Sequence, residues 1–176
     1  AVTSLEYDAR GNIIRTTRHA AIEGGAASAS APADRVTRTF YDLGNNPVLE
    51  IGPEGAVVLR RFDAAGNVVA ITAYANELSA AGIAGLTTTA QALKVAEGLV
   101  SAFDRTQLFV YQPGGGLRFS IDALGNVSEK RYEPTGRVVA ELSYATPVQL
   151  APWSSPDAVR QAAENLARTQ ESAAKT

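Results

Sequence analysis

Few side chains in this sequence could carry chemistry, and the first is His19, the only histidine among 176 residues. A Ser/His/Asp relay could be built only there, and a metal site of several histidines cannot be built at all. Cysteine is absent, which removes disulfides, thiolate nucleophiles and cysteine-bound metals together. Asp8, Asp63 and Asp122 recur at one place in a repeated turn. Calcium needs several oxygens converging on one point, whereas these arrive one per turn. We therefore read them as side chains that hydrogen-bond their own turns. Gly114-Gly115-Gly116 lacks the Lys and Ser/Thr of a phosphate loop and reads as turn chemistry. No pair of carboxylates stands out as an acid/base couple. The expectation is a chain that is not an enzyme, with no catalytic, cofactor-binding or metal residues and no cofactor.

Two further sets have a binding reading beside a structural one. Arg60, Arg61, Lys130 and Arg131 form basic pairs at matching places. They read as exposed cross-strand partners for acidic neighbours, ahead of a stripe for an acidic polymer. Tyr41, Tyr74, Tyr111, Tyr132 and Tyr144 could stack on sugar rings, but aromatics at strand ends read first as packing ladders. His19 stands where later copies carry Tyr74 and Tyr144, so it reads as a substituted packing residue.

These residues are positioned by short strands and turns. The stretch Phe62-Asp63-Ala64-Ala65-Gly66-Asn67-Val68-Val69 closes a strand, turns and opens the next one. It recurs as Tyr7-Asp8-Ala9-Arg10-Gly11-Asn12 and as Ile121-Asp122-Ala123-Leu124-Gly125-Asn126, with a looser copy at Tyr132-Glu133-Pro134-Thr135-Gly136. Glycine at the fifth position, including Gly55, calls for a backbone with positive φ. The copies beginning at Tyr41 and Tyr111 place a glycine one residue early, at Gly44 and Gly114, and predict turns of another type.

A longer period encloses the short one. Tyr41 and Tyr111, Ile51 and Ile121, Gly55 and Gly125, Gly66 and Gly136, and Tyr74 and Tyr144 all stand 70 residues apart. Three segments follow. Residues 1–40 form a shortened unit without a helix, 41–110 a full unit, and 111–176 a second unit ending where another should start. Residues 21–34 are small and polar and read as a loop or flexible connector. Each long unit closes with a helix. The first runs over about 86–104, with Thr88 and Gln91 at capping-box spacing and Leu93, Ala96, Val100 and Phe103 on one face. The second runs over about 155–170, with Ser155 as N-cap and Pro156 at the first helical position. Ile83 and Trp153, at the same offset, are expected to anchor these helices on the sheet. The fold class is mainly β with helical insertions, an α+β repeat of antiparallel hairpins with one amphipathic helix per long unit.

Composition narrows the rest. Hydrophobic residues make up 45% and charged residues 19%, which argues against disorder throughout. A net charge of −2 supplies no basic face for nucleic acid. No apolar run reaches the length of a membrane-spanning helix, and no signal peptide is visible. The chain begins at Ala1 and contains no Met, so a processed chain or a fragment of something longer is expected.

Repeated aromatic–Asp–x–x–Gly–Asn, followed by β-branched residues, resembles the YD-repeat, or RHS, family. The resemblance rests on Tyr7-Asp8…Gly11-Asn12, Phe62-Asp63…Gly66-Asn67 and Asp122…Gly125-Asn126, with Tyr132 and Gly136 in a weaker copy. It covers roughly residues 1–20, 35–75 and 107–145 and leaves the helices out. It implies a bacterial secreted or surface protein whose strands wind into a spiralling sheet that forms a hollow shell. In many members the shell encloses a toxic C-terminal domain, but neither the self-cleaving core segment nor a toxin domain is matched here.

The expected function is therefore a structural segment of an extracellular shell, tube or filament wall. The alternative is a surface module recognising glycans or a neighbouring cell. The expected partners are neighbouring repeat units or further copies, joined by strand addition and helix packing, and the resemblance adds an enclosed toxin domain. No nucleic acid and no membrane span are expected.

Overall fold

In the computed structural model, residues 2–20, 22–23, 26–27, 34–151 and 154–173 are described. Trp153, expected to anchor a helix, lies outside them, as do Ala1, Thr176 and most of the connector 21–34. The fold is mainly β with helical insertions, as the turn spacing implies. The strands are β1 (Thr3–Tyr7), β2 (Ile13–Arg18), β3 (Ile22–Glu23), β4 (Ala26–Ala27), β5 (Arg35–Tyr41), β6 (Pro47–Ile51), β7 (Val57–Phe62), β8 (Val68–Ala73), β9 (Arg105–Tyr111), β10 (Leu117–Ile121), β11 (Val127–Tyr132) and β12 (Val138–Ser143). The helices are α1 (Ala80–Ala84), α2 (Thr89–Glu97) and α3 (Pro156–Ala173). Contacts divide the chain into two compact units, Ala1–Arg60 with Ala73–Asp104 and Arg61–Thr72 with Arg105–Thr176.

In the first unit the strands follow the order β1-β2-β5-β6-β7, and their ladders are antiparallel. The register sets one cross-strand row, Glu6–Arg15–Arg38–Ile51–Val57. Side chains of such a row share a face, and Ile51 and Val57 bury theirs with Leu49, Leu78, Leu86, Ala92 and Ala96. The connector contains a small antiparallel ladder between β3 and β4, where the sequence suggested only loop.

Helix α2 is shorter than the expected span of 86–104. Its N-terminus forms as the spacing implied: the Thr88 side chain accepts from the Gln91 N–H, and Gln91 accepts from the Thr88 N–H. Its C-terminus comes early, because Gly98 caps the helix and donates to Ala96 and Val95, as glycine favours. Ser101 and Asp104 then close a turn, with the Asp104 carboxylate accepting from the Ser101 N–H at 2.9 Å. Val100 and Phe103 consequently miss the apolar face, and Phe103 is 82% exposed. The long unit also holds a second helix, α1, capped by Ser79, where one helix was expected.

In the second unit the order is β8-β9-β10-β11-β12, and α3 packs on it. Ser155 accepts from the Ala158 N–H at 3.2 Å, as an N-cap does. Val159, Ala163 and Ala167 meet Ala70, Leu108, Val110, Phe119, Ile121 and Val127 in one core. Ala163 and Phe119 are wholly buried.

Candidate functional site

The repeated unit of construction is the turn. In all seven copies the second residue accepts from the N–H three residues on, and its own N–H donates to the carbonyl four residues on. Asp63, for example, accepts from Gly66 at 3.0 Å and donates to Asn67 at 2.9 Å. This is a hairpin loop closed by a left-handed residue. Gly11, Gly55, Gly66, Gly125 and Gly136 all have positive φ, as expected. The copies at Tyr41 and Tyr111 do not form another turn type. Their fifth residues, Asn45 (φ 62°) and Gly115 (φ 82°), take the same conformation, since asparagine tolerates it. Gly44 and Gly114 are incidental to it.

Aspartate and asparagine complete the loop. Asp63 Oδ1 accepts from Ala65 N and Asn67 N, and Asn67 Nδ2 donates to Asp63 Oδ2 at 3.0 Å. Asp8 with Asn12, Asp42 with Asn46 and Asp122 with Asn126 repeat the arrangement. The Asn side chain first, and its backbone N–H with it, hold each carboxyl below the usual aspartate value against a small opposing effect of burial. The carboxylates are thus engaged within their own loops. Among the described residues no three His, Asp or Glu side chains converge as a metal set.

Two glycines do more than turn. A Cβ on Gly55 would lie 2.0 Å from the Leu78 carbonyl oxygen, and one on Gly125 would lie 2.3 Å from that of Val148. Leu78 N and Val148 N donate back to Gly55 O and Gly125 O, each at 2.9 Å. The returning chain is therefore clipped to the turn, and a side chain there would meet backbone. Gly11 and Gly136 have open space.

Three tyrosines join the end of a strand to the start of the strand before it. Tyr41, ending β5, donates to the Ile13 carbonyl that opens β2, at 3.1 Å. Tyr111, ending β9, donates to Val68 at the start of β8, at 3.0 Å. Tyr132, ending β11, donates to Leu117 at the start of β10, at 2.8 Å. Tyr7 occupies the same place on β1, the edge of its unit among the described residues, and is 56% exposed. The spacing of aromatics is visible in the sequence, but their hydroxyl partners are not.

His19 stands at the centre of a relay that the sequence could only permit. Its Nε2 is 2.7 Å from Ser4 Oγ, and its Nδ1 is 2.9 Å from an Asp34 carboxylate oxygen. That connectivity is the one used for nucleophilic serine chemistry. The repeat assigns it another meaning. Asp34 Oδ1 also accepts from Ala20 N at 3.0 Å, just as Asp104 Oδ1 accepts from Ala75 N at 2.9 Å. The matching trios are Ser4/His19/Asp34 and Leu59/Tyr74/Asp104, and the second unit carries Glu129 and Tyr144. An imidazole or a tyrosine thus stands at this one place in each copy, half-buried at His19 and Tyr74 and buried at Tyr144. Ser4 lines neither of the grooves found in the two units.

In the second unit this place has become an ionic hub. Glu129, 2% exposed, accepts from the Tyr144 hydroxyl at 2.6 Å, from Arg131 at 3.0 Å and from Arg118 at 3.3 Å. Arg118 continues to Glu164 at 3.2 Å and Arg131 to Glu171, both on α3. Burial pushes the Glu129 carboxyl up, but the hydrogen bonds from Tyr144, Arg131 and Arg118 outweigh it and hold the group below its usual value. Burial and then the Glu129 carboxylate push the Tyr144 hydroxyl up. A carboxylate clamped in this way ties a helix to a sheet. Arg131 is therefore not a simple exposed cross-strand partner, and Arg61 reaches the Ser154 carbonyl at 3.4 Å. Arg60 with Glu50 and Lys130 with Glu141 do form the expected cross-strand pairs, each at 3.2 Å.

No protein-family model matches the chain, and no curated protein matches it in sequence. Solved structures do share its fold. The crystal structure of TcdB2-TccC3 without its hypervariable C-terminal region matches with a TM-score of 0.50 and 14% identity, over 85% of this chain. That of TcdB2-TccC3-Cdc42 matches with a TM-score of 0.50 and 12% identity, also over 85%. The chain spans about 8% of the length of those proteins. At such identity the likeness is one of fold, and it is a fold similar to that of a segment of TcdB2-TccC3.

Proposed function

We propose that the chain is a non-catalytic structural segment of a large RHS/YD-repeat protein, a length of β-sheet wall in an extracellular bacterial shell, tube or filament. The observation that carries this reading is Tyr7. Three tyrosines at the ends of later strands each fasten the start of the strand before them, and Tyr7 presents the same hydroxyl on an edge strand. An edge with unpaired backbone groups and a ready side-chain donor suits the addition of one more strand. The likeness of fold to a segment of TcdB2-TccC3 supports the same reading.

The repeated tyrosines also bear on the glycan-recognition alternative. Tyr41, Tyr111 and Tyr132 spend their hydroxyls on neighbouring strands, and Tyr144 is buried on Glu129. Aromatics committed to packing favour a wall over a sugar-stacking platform. The partners proposed are further repeat units of the parent protein or further copies, with an enclosed C-terminal toxin domain as the parent's cargo. Amide hydrogen exchange of β1 in the native parent assembly tests the reading. Slow exchange at every second amide of Thr3–Tyr7 is expected there, and exchange as fast as in the isolated chain would contradict it.

A further inference from the structure

The two units treat the same two core positions in opposite ways. Counting from the turns, Phe62 follows Tyr7 by 55 residues, so Arg15 of β2 matches Ala70 of β8. Arg38 matches Leu108 at the 70-residue offset. The register agrees, since Arg38 faces Ile51 as Leu108 faces Ile121. Ala70 and Leu108 are buried beneath α3 in the second unit. In the first unit a groove of about 780 Å³ runs beside Arg15 and Arg38 instead, lined on one side by Thr89, Ala90 and Leu93 at the start of α2.

The chemistry of the groove is specific. Arg15 and Arg38 are direct cross-strand partners, a like-charge pairing that disfavours the sheet on its own. Arg15 donates from Nη1 to Glu6 at 3.2 Å. Arg38 donates from Nη1 to the carbonyls of Ile83 at 3.2 Å and Leu86 at 3.3 Å. The Nε–H of each arginine is buried and has no acceptor. The walls around them are apolar, formed by Ile14, Phe40, Leu86 and Leu93.

We infer that this groove binds a small monocarboxylate with an apolar body. A planar carboxylate matches the fork of a guanidinium, and turning either guanidinium edge toward the groove gives its Nε–H an acceptor. One anion between the two arginines also relieves their repulsion. Glu6 already offsets one positive charge, and Arg10 lines the groove together with Asp8 and Asp42, so three arginines face three carboxylates and a single negative charge fits better than a phosphate dianion. The groove volume lies within the range usual for small-molecule sites. This assignment does not depend on the wall reading.

Titration calorimetry of the whole chain tests it, with octanoate as probe and octylamine and inorganic phosphate as controls. Octanoate is expected to saturate one site per chain, while octylamine and phosphate give no saturable heat. The double variant Arg15→Ala/Arg38→Leu installs the side chains that the second unit buries at these positions. It is expected to fold, as circular dichroism would show, and to weaken octanoate about ten- to hundredfold. Should it fail to fold, Arg38→Lys keeps the charge without the fork and is expected to weaken octanoate about tenfold. No saturable octanoate heat, phosphate binding as tight as octanoate, or unchanged binding in the folded variants would each overturn the assignment.

Discussion

The hydroxyl of Tyr111 donates to the main-chain carbonyl of Val68 at 3.0 Å, so the end of one strand fastens the beginning of its predecessor. Tyr132 does the same to Leu117. Removing either hydroxyl leaves a carbonyl near a strand start without this donor. Tyr111→Phe and Tyr132→Phe should each lower stability by about 0.5–1.5 kcal/mol, measured by urea unfolding. No change in either variant would remove the fastening role.

Glycines that look alike in sequence should behave differently. Gly11→Ala meets only the cost of positive φ, about 1–2 kcal/mol. Gly125→Ala meets that cost and the Val148 carbonyl as well, so the clip between turn and returning chain must open. Its loss should exceed that of Gly11→Ala by at least about 1 kcal/mol. Equal losses in thermal unfolding would show that the clip yields freely.

Acid should loosen the turns and the Glu129 hub. Asp42, Asp63 and Asp122 titrate below the ordinary 3.8, and Glu129 below the ordinary 4.5. The unfolded chain therefore binds protons first as pH falls, and stability is complete above those ordinary values. It is lost as pH drops through the lower folded-state values. Between pH 7 and 5 the unfolding midpoint should hold against these groups, and below pH 4 it should fall. Asp63→Asn should reduce the slope of that fall.

Ser4 should remain unreactive. Its relay through His19 to Asp34 has the right connectivity, but the repeat uses the same positions for Leu59, Tyr74 and Asp104. A fluorophosphonate probe should leave Ser4 unlabelled at neutral pH, as mass spectrometry of the digested chain would show. Labelling that disappears in His19→Ala would make Ser4 an activated nucleophile and end the non-catalytic reading.

What the sequence made legible was local. Aspartate, glycine and asparagine act within one turn, so their spacing alone exposes the hairpins, and Thr88 with Gln91 marks a helix start for the same reason. Asn45 escaped because positive φ does not require glycine. Gly98 ended α2 early against a good apolar period, since one backbone cap outweighs a stripe that has nothing to cover at Phe103. The Glu129 hub joins β10, β11, the segment after β12 and α3, and no spacing rule connects such distant residues. Arg15 and Arg38 meet only through the register of β2 and β5.

The most direct test of the account is cryo-electron microscopy of the intact parent assembly, resolved well enough to place side chains around β1. The wall reading predicts a strand paired to Thr3–Tyr7, with the carbonyl at its start within hydrogen-bond distance of the Tyr7 hydroxyl. A native particle in which β1 stays an unpaired edge and Tyr7 faces solvent would contradict it.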